Sequence, residues 1–205
     1  MFEIYTITIL VSIFTFTLSA TITPGPNNIM LLSSGLTFGY KSTLAHIFGI
    51  VFGFPIMVLL VGLGLGIVFE KFPMILDILK IVGILYLVWM AYKIANNKST
   101  YDLKDDQKSE PFTFLQAALF QWVNPKAWIM AISSISIFVK PDVDSLMQIV
   151  LIALIFLLSA IVSCNTWVIG GVALKKIIKS EKSIRIFNIS MAILLVVSVL
   201  PIIFE

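Results

Sequence analysis

The sequence predicts an all-α integral membrane protein: six transmembrane helices arranged as two inverted three-helix repeats, with the first and fourth spans broken. Three observations carry that prediction. Apolar runs at about 4–38, 43–69, 72–95, 112–139, 146–174 and 186–204 are each long enough to cross a bilayer, which takes roughly 20 residues at a rise of 1.5 Å. Two of these runs contain clusters hostile to a helix, Thr23-Pro24-Gly25-Pro26-Asn27-Asn28 and Asn124-Pro125-Lys126. A hydrophilic segment, 96–110, separates the first three runs from the last three.

Composition excludes a soluble globule. Of 205 residues, 59% are hydrophobic and only 12% are charged, and the mean hydropathy is +1.05, which leaves too little polar surface to coat a water-soluble body. The spans then take up nearly the whole chain: 1–95 as the first three-helix repeat, 96–110 as a cytoplasmic linker and 111–205 as the second repeat, all in a single membrane domain.

The first run begins with Glu3 and no Lys or Arg, unlike a cleavable signal, so it is expected to remain as the first span. As one helix, its ~35 residues would reach roughly 50 Å, well beyond a hydrocarbon core of about 30 Å. The Pro-Gly-Pro cluster supplies a bend. From Asn27 onward a fresh half-helix can start, its free N–H groups and positive dipole end directed into the membrane interior. Such an end holds a carboxylate without any side chain. Asn27, Asn28 and Asn124 add amide donors and acceptors there; the bland alternative is that they cap the broken ends and satisfy one another.

Span two is rich in glycine, and Gly49-x-x-x-Gly53 is a close-packing pattern. His46, near its cytoplasmic end, is expected to be solvated or to cap a helix. In span three, Asp77 and Lys80 are three apart on one face at the outer end. Asp77 is the one carboxylate placed inside a span, which makes it a candidate proton-coupling acid; an interfacial ion pair is the alternative. The linker mixes Lys98, Lys104 and Lys108 with Asp102, Asp105, Asp106 and Glu110 and has no apolar periodicity, so it reads as a solvated loop.

Lys126 lies mid-way along span four, where a cation costs on the order of 3 kcal/mol. It is a candidate partner for a substrate carboxylate or a proton-linked gate. The alternative is a structural tie to the carbonyls of the first break, near Pro24, or to a buried carboxylate. In span five, Asn165 and Thr166 stand beside Ser163 and Cys164 and are expected at the same cavity, or in interhelical hydrogen bonds. Cys164 is the single cysteine, so the chain has no internal disulfide and no dithiol redox pair.

A shift of 100 residues lays Ile29-Met30-Leu31-Leu32-Ser33-Ser34 over Ile129-Met130-Ala131-Ile132-Ser133-Ser134, identical at four of six positions, and brings the two breaks into register. Three spans per half make any such repeat an inverted one. Ten of the Lys and Arg residues fall in the first, third and fifth loops, against Lys71, Lys80 and Lys140 elsewhere outside the spans. That bias predicts a multi-pass protein with both termini outside. The net charge of +3 is thus a topology signal and gives no reason to expect a nucleic-acid partner.

Pro24-Gly25-Pro26-Asn27-Asn28, the glycine-rich second span, Gly83-Ile84-Leu85-Tyr86-Leu87-Val88-Trp89 and Asn124-Pro125-Lys126-Ala127 together resemble the LysE/RhtB family of amino-acid exporters over essentially the full length. Ser33-Ser34, Trp89-Met90-Ala91-Tyr92-Lys93-Ile94-Ala95 and Asn165-Thr166-Trp167 resemble its cysteine and O-acetylserine exporter branch. The resemblance implies a secondary transporter in a bacterial cytoplasmic (inner) membrane that exports small amino acids or derivatives on the proton gradient, often as a homodimer, with no cofactor. The expected substrate contacts are Pro24, Gly25, Pro26, Asn27, Asn28, Asn124, Pro125, Lys126, Asn165 and Thr166, with Asp77 or Lys126 coupling the proton. An enzyme is not expected, since the spans hold no nucleophile with a base and no metal cluster. Two other readings stand beside export: efflux of an inorganic cation, disfavoured by the positive Lys126 and the scarcity of carboxylates, and a non-transporting membrane assembly subunit.

Overall fold

A computed structural model describes residues 5–65, 67, 71–96, 110–140, 144–178 and 180–198, without the side chains at 73, 76, 77 and 181. The described residues are helical and contain no strand. In chain order the helices are α1 (Ile7–Ile22), α2 (Pro26–Phe38), α3 (Tyr40–Leu60, continued by a π-helical turn Val61–Leu65), α4 (Pro73–Ala95), α5 (Phe114–Val123), α6 (Pro125–Phe138), α7 (Ser145–Ile177) and α8 (Glu181–Val197). The predicted linker lies outside the described residues apart from its ends.

Both predicted breaks are present. Thr23 turns to extended backbone ahead of Pro24 and ends α1, as the steric clash of a following proline demands. Pro26 then opens α2 at its first helical position, where a missing N–H costs nothing and φ is already helical. The two pieces are bent by 60°. In the second half only Asn124 is non-helical, and Pro125 opens α6 directly behind it. Gly39, at φ 81, makes the turn from α2 into α3 in a left-handed conformation that a Cβ would strain.

α3, α4 and α7 contain stretches long and apolar enough to cross a membrane, and the bent α1–α2 pair makes a fourth candidate span. α5 and α6 are shorter apolar helices on either side of the second break. Large apolar side chains, among them Ile7, Val11, Leu85, Leu115 and Ile169, cover the outward faces. In water that surface would be an aggregation hazard, whereas lipid solvates it.

Small residues let backbones touch, which substitutes for the hydrophobic drive that lipid removes. α2 lies against α7 at two glycines: a Cβ on Gly35 would meet the backbone of Val168, and one on Gly171 the backbone of Leu32. α3 lies against α5 at Gly49 and Gly53, where added Cβ atoms would fall 2.6 Å from Ala117 Cβ and 2.7 Å from Ala118 Cα. The Gly49-x-x-x-Gly53 pattern is therefore a packing device, as expected. Polar groups in the interior pair across helices: Thr17 of α1 with Ser159 of α7 at 2.7 Å, and Ser34 of α2 with Thr43 of α3 at 2.9 Å. This frame clamps α1 and α2 against α7, and α5 against α3, so that the two breaks face each other.

Candidate functional site

The site grows from a shortage of hydrogen bonds. Ending α1 in mid-span leaves its last carbonyls without helical partners, and in an apolar surrounding each must find a donor. Ser19 O accepts Thr23 N at 3.3 Å and Ala20 O the Thr23 hydroxyl at 2.9 Å. Thr21 O takes both Asn28 Nδ2 and the Ser163 hydroxyl at 2.8 Å, and Ile22 O takes Trp167 Nε1 at 3.1 Å. Thr23 O accepts Asn28 Nδ2 at 2.7 Å. Asn28, buried on the first turn of α2, thus straps the new helix to the end of the old one.

Lys126 completes that set from the other half of the chain. Its Nζ donates to Thr23 O at 2.7 Å, Thr23 Oγ1 at 2.8 Å and Pro24 O at 3.3 Å. Three acceptors match the three protons of an ammonium group. As the second residue of α6, Lys126 stands at the positive end of its own helix and reaches the negative, carbonyl end of α1. A second pair crosses in the other direction: Asn27 Nδ2 donates to Gln121 Oε1 at 2.8 Å, and Gln121 Nε2 returns a bond to Asn27 Oδ1 at 3.3 Å.

The two N-termini differ. Asn124 Oδ1 accepts Lys126 N, and Asn124 O accepts Ala127 N, so α6 is capped by its own Asn. Gly25 has no side chain to offer, and none caps α2. Of the two half-helices expected to present free N–H groups, only α2 lacks a side-chain cap.

Between the breaks lies a cavity lined by Gly25, Pro26, Asn27, Asn28, Asn124 and Lys126, together with Thr21 and Ser163 and the apolar Ile50, Phe54, Met130, Ala160 and Cys164. The space in it that the centre of a water molecule can reach is about 30 Å³. Polar groups cluster at one side and apolar ones opposite, the usual division between orientation and shape in a small-molecule site.

Six of the sequence-predicted residues line this cavity. Pro24 contributes its carbonyl to Lys126, and Pro125 initiates α6. Asn165 and Thr166 are not among the lining residues: Asn165 accepts from the Tyr40 hydroxyl and donates to Ile161 O, and the exposed Thr166 bonds Val162 O one turn back. The residues just before them, Ser163 and Cys164, face the cavity instead, a shift of two residues or about 200° in helical phase. The side chain of Asp77 lies outside the described residues. His46 departs from expectation, being 1% exposed. It is stacked on Phe112 at 4.8 Å, with neither ring nitrogen hydrogen-bonded. The chain returning from the linker brings Phe112 over a position that looked superficial in the sequence.

Gln121, Thr21 and Ser163 escaped the sequence reading. Gln121 had a signal, being an amide isolated in an apolar run three residues ahead of the second break. Thr21 and Ser163 had none, since small hydroxyls bond their own helix anywhere in a span.

The model of the LysE type translocator family matches residues 18–201. Curated relatives named cysteine/O-acetylserine efflux protein, from Escherichia coli O157:H7, Escherichia coli strain K12 and Shigella sonnei strain Ss046, are each 30% identical over 192 residues, covering 92% of this chain and 94% of theirs. No solved structure matches the chain.

Proposed function

The chain belongs to the LysE type translocator family, an integral membrane transporter class, and we propose that it exports a small neutral amino acid or derivative such as cysteine or O-acetylserine from the cytoplasm. The observation that carries this reading is the meeting of the two breaks around Lys126. A zwitterion needs an anion pole and a cation pole a few ångströms apart, shielded from water. The uncapped amides of α2 and the Lys126 ammonium supply the first; the end carbonyls of α1 and the oxygens of Asn27 and Asn28 supply the second. Ile50, Phe54, Met130, Ala160 and Cys164 leave an apolar corner for a short side chain. The names of the relatives support the same substrate size.

Six spans in two inverted repeats, 1–95 and 111–205 about the 96–110 linker, are part of this proposal. In its support, α1 packs on α7 as α5 packs on α3, while α3 meets α7 and α4 meets α8, which are the pairings a two-fold axis in the membrane plane would generate. Proton coupling through Lys126 or Asp77, both termini outside the bacterial inner membrane, and a homodimer complete the reading.

Efflux from proteoliposomes loaded with a panel of amino acids, with and without a pH gradient, tests it. Gradient-dependent release of one or more small neutral amino acids is expected. Folded protein that moves none of them would remove the proposal, and gradient-independent release would remove the coupling.

A further inference from the structure

The strongest donor in the site occupies the strongest acceptors. Lys126 Nζ fills Thr23 O, Thr23 Oγ1 and Pro24 O, and these, beside the cavity that Lys126 itself lines, are a natural ammonium site; the other end carbonyls of α1 are already given to Asn28, Ser163 and Trp167. Entry of a substrate ammonium to these oxygens therefore requires Lys126 to leave them, and its stem is flexible enough to do so. Gly25 confirms the closeness of that stem: a Cβ there would lie 2.8 Å from Lys126 Cδ and 3.1 Å from Nζ. Thr23 and Pro24 remain exposed, so the same oxygens are accessible to an incoming cation.

We propose that Lys126 is a resident competitor for the substrate: its ammonium holds the Thr23–Pro24 oxygens in the empty state, and the substrate's own ammonium displaces it. The freed Nζ then turns to the substrate carboxylate. This rests on the export reading, and it restricts that reading to solutes carrying both charges. A cation without a carboxylate would expel Lys126 from three oxygens with no opposite charge to receive it, and a carboxylate without an ammonium would have to draw Lys126 from those oxygens with nothing to replace it. Either penalty is large where water is scarce. A zwitterion exchanges the partners and leaves none unpaired, so the lysine sets specificity by what it would lose.

The test uses full-length protein in nanodiscs with three ligands: ethylammonium, propionate and L-cysteine kept reduced. Binding is followed by tryptophan fluorescence, since Trp128 bonds Trp122 O across the second break and Trp167 bonds Ile22 O at the first. In Lys126→Met, ethylammonium should bind about tenfold more tightly than in wild type, because a tethered competitor at high effective concentration has gone. L-cysteine should bind more weakly. Adding Thr23→Val should reverse at least part of the ethylammonium gain. Unchanged ethylammonium affinity in Lys126→Met, or a gain indifferent to Thr23→Val, would overturn the proposal.

A second measurement needs no variant. In wild type, acetylation of Lys126 by an amine-reactive reagent, mapped by mass spectrometry against Lys41, should accelerate once ethylammonium is raised high enough to saturate the site against the lysine; protection or no change at saturation would overturn displacement. If cysteine is exported yet both measurements fail, export survives and the competitor idea falls. If displacement holds but no amino acid is transported, the export reading is the part that fails.

Discussion

The two helix breaks use the same device, a proline at the first position of the following half-helix, and have different ends. At the first break three residues separate α1 from α2, the axis bends by 60°, and the new helix has no side-chain cap. At the second break a single residue intervenes, and Asn124 caps α6 itself. The first break therefore exposes groups that need partners, whereas the second supplies them, through Lys126 and Gln121. Gly35 lets α2 lie directly on α7. The first break is the receiving side and the second the contributing side.

Removing the contribution should have the largest effect. Lys126→Ala is expected to lower amino-acid efflux from proteoliposomes by about 100-fold or more, the scale of losing a charge-assisted contact in a desolvated site. Retention of efflux within threefold would end the assignment of the second break as the contributor.

Next comes the strap on the receiving side. Asn28→Ala takes one donor each from Thr21 O and Thr23 O, which keep Ser163 and Lys126, at about 0.5–1.5 kcal/mol for each bond lost. Efflux should fall roughly tenfold, and thermal unfolding in detergent should move down by several degrees. Loss of flux with an unmoved melting temperature would instead make Asn28 a direct substrate contact.

Asn124→Ala removes one cap from a helix whose other contacts persist, a loss of about 0.5–2 kcal/mol. The expected result is a lowered melting temperature with efflux within about fivefold of wild type, since the cap orders α6 without touching the carbonyl end of α1. The smallest effect is expected from Pro26→Ala, which adds one N–H at a position where helices leave theirs free. Efflux should stay within about twofold, and a larger loss would show that the ring, and not the backbone it shapes, contacts the substrate.

The positions of both breaks were legible in the sequence because proline acts locally: whatever packs around it, it lacks an N–H and fixes φ. Lys126 was legible for a similar reason, a charge in an apolar run being costly in any fold. Its partner was named as one of two alternatives, and the structure selects the carbonyls near Pro24. The faces of the helices were not legible. Helices apolar all round carry no stripe to mark the inward side, so in the sequence Asn165 and Thr166 stand between the cavity and interhelical hydrogen bonds, of which the structure shows the Tyr40–Asn165 bond, and His46 is expected solvated or capping where Phe112 covers it.

Sequence alone determined that this chain is an integral membrane protein, that two of its apolar runs are interrupted, and that a lysine stands directly behind the second interruption, since each follows from the solvation and covalent geometry of single residues. Only the tertiary structure decided which interrupted end gives and which receives, because that depends on which helix a glycine allows nearest. The carbonyls of α1 and the ammonium of Lys126 are about a hundred residues apart in the chain, and no local rule connects them. What connects them is that lipid offers neither group a partner, so the fold that brings them together is the one that leaves no charge and no carbonyl alone.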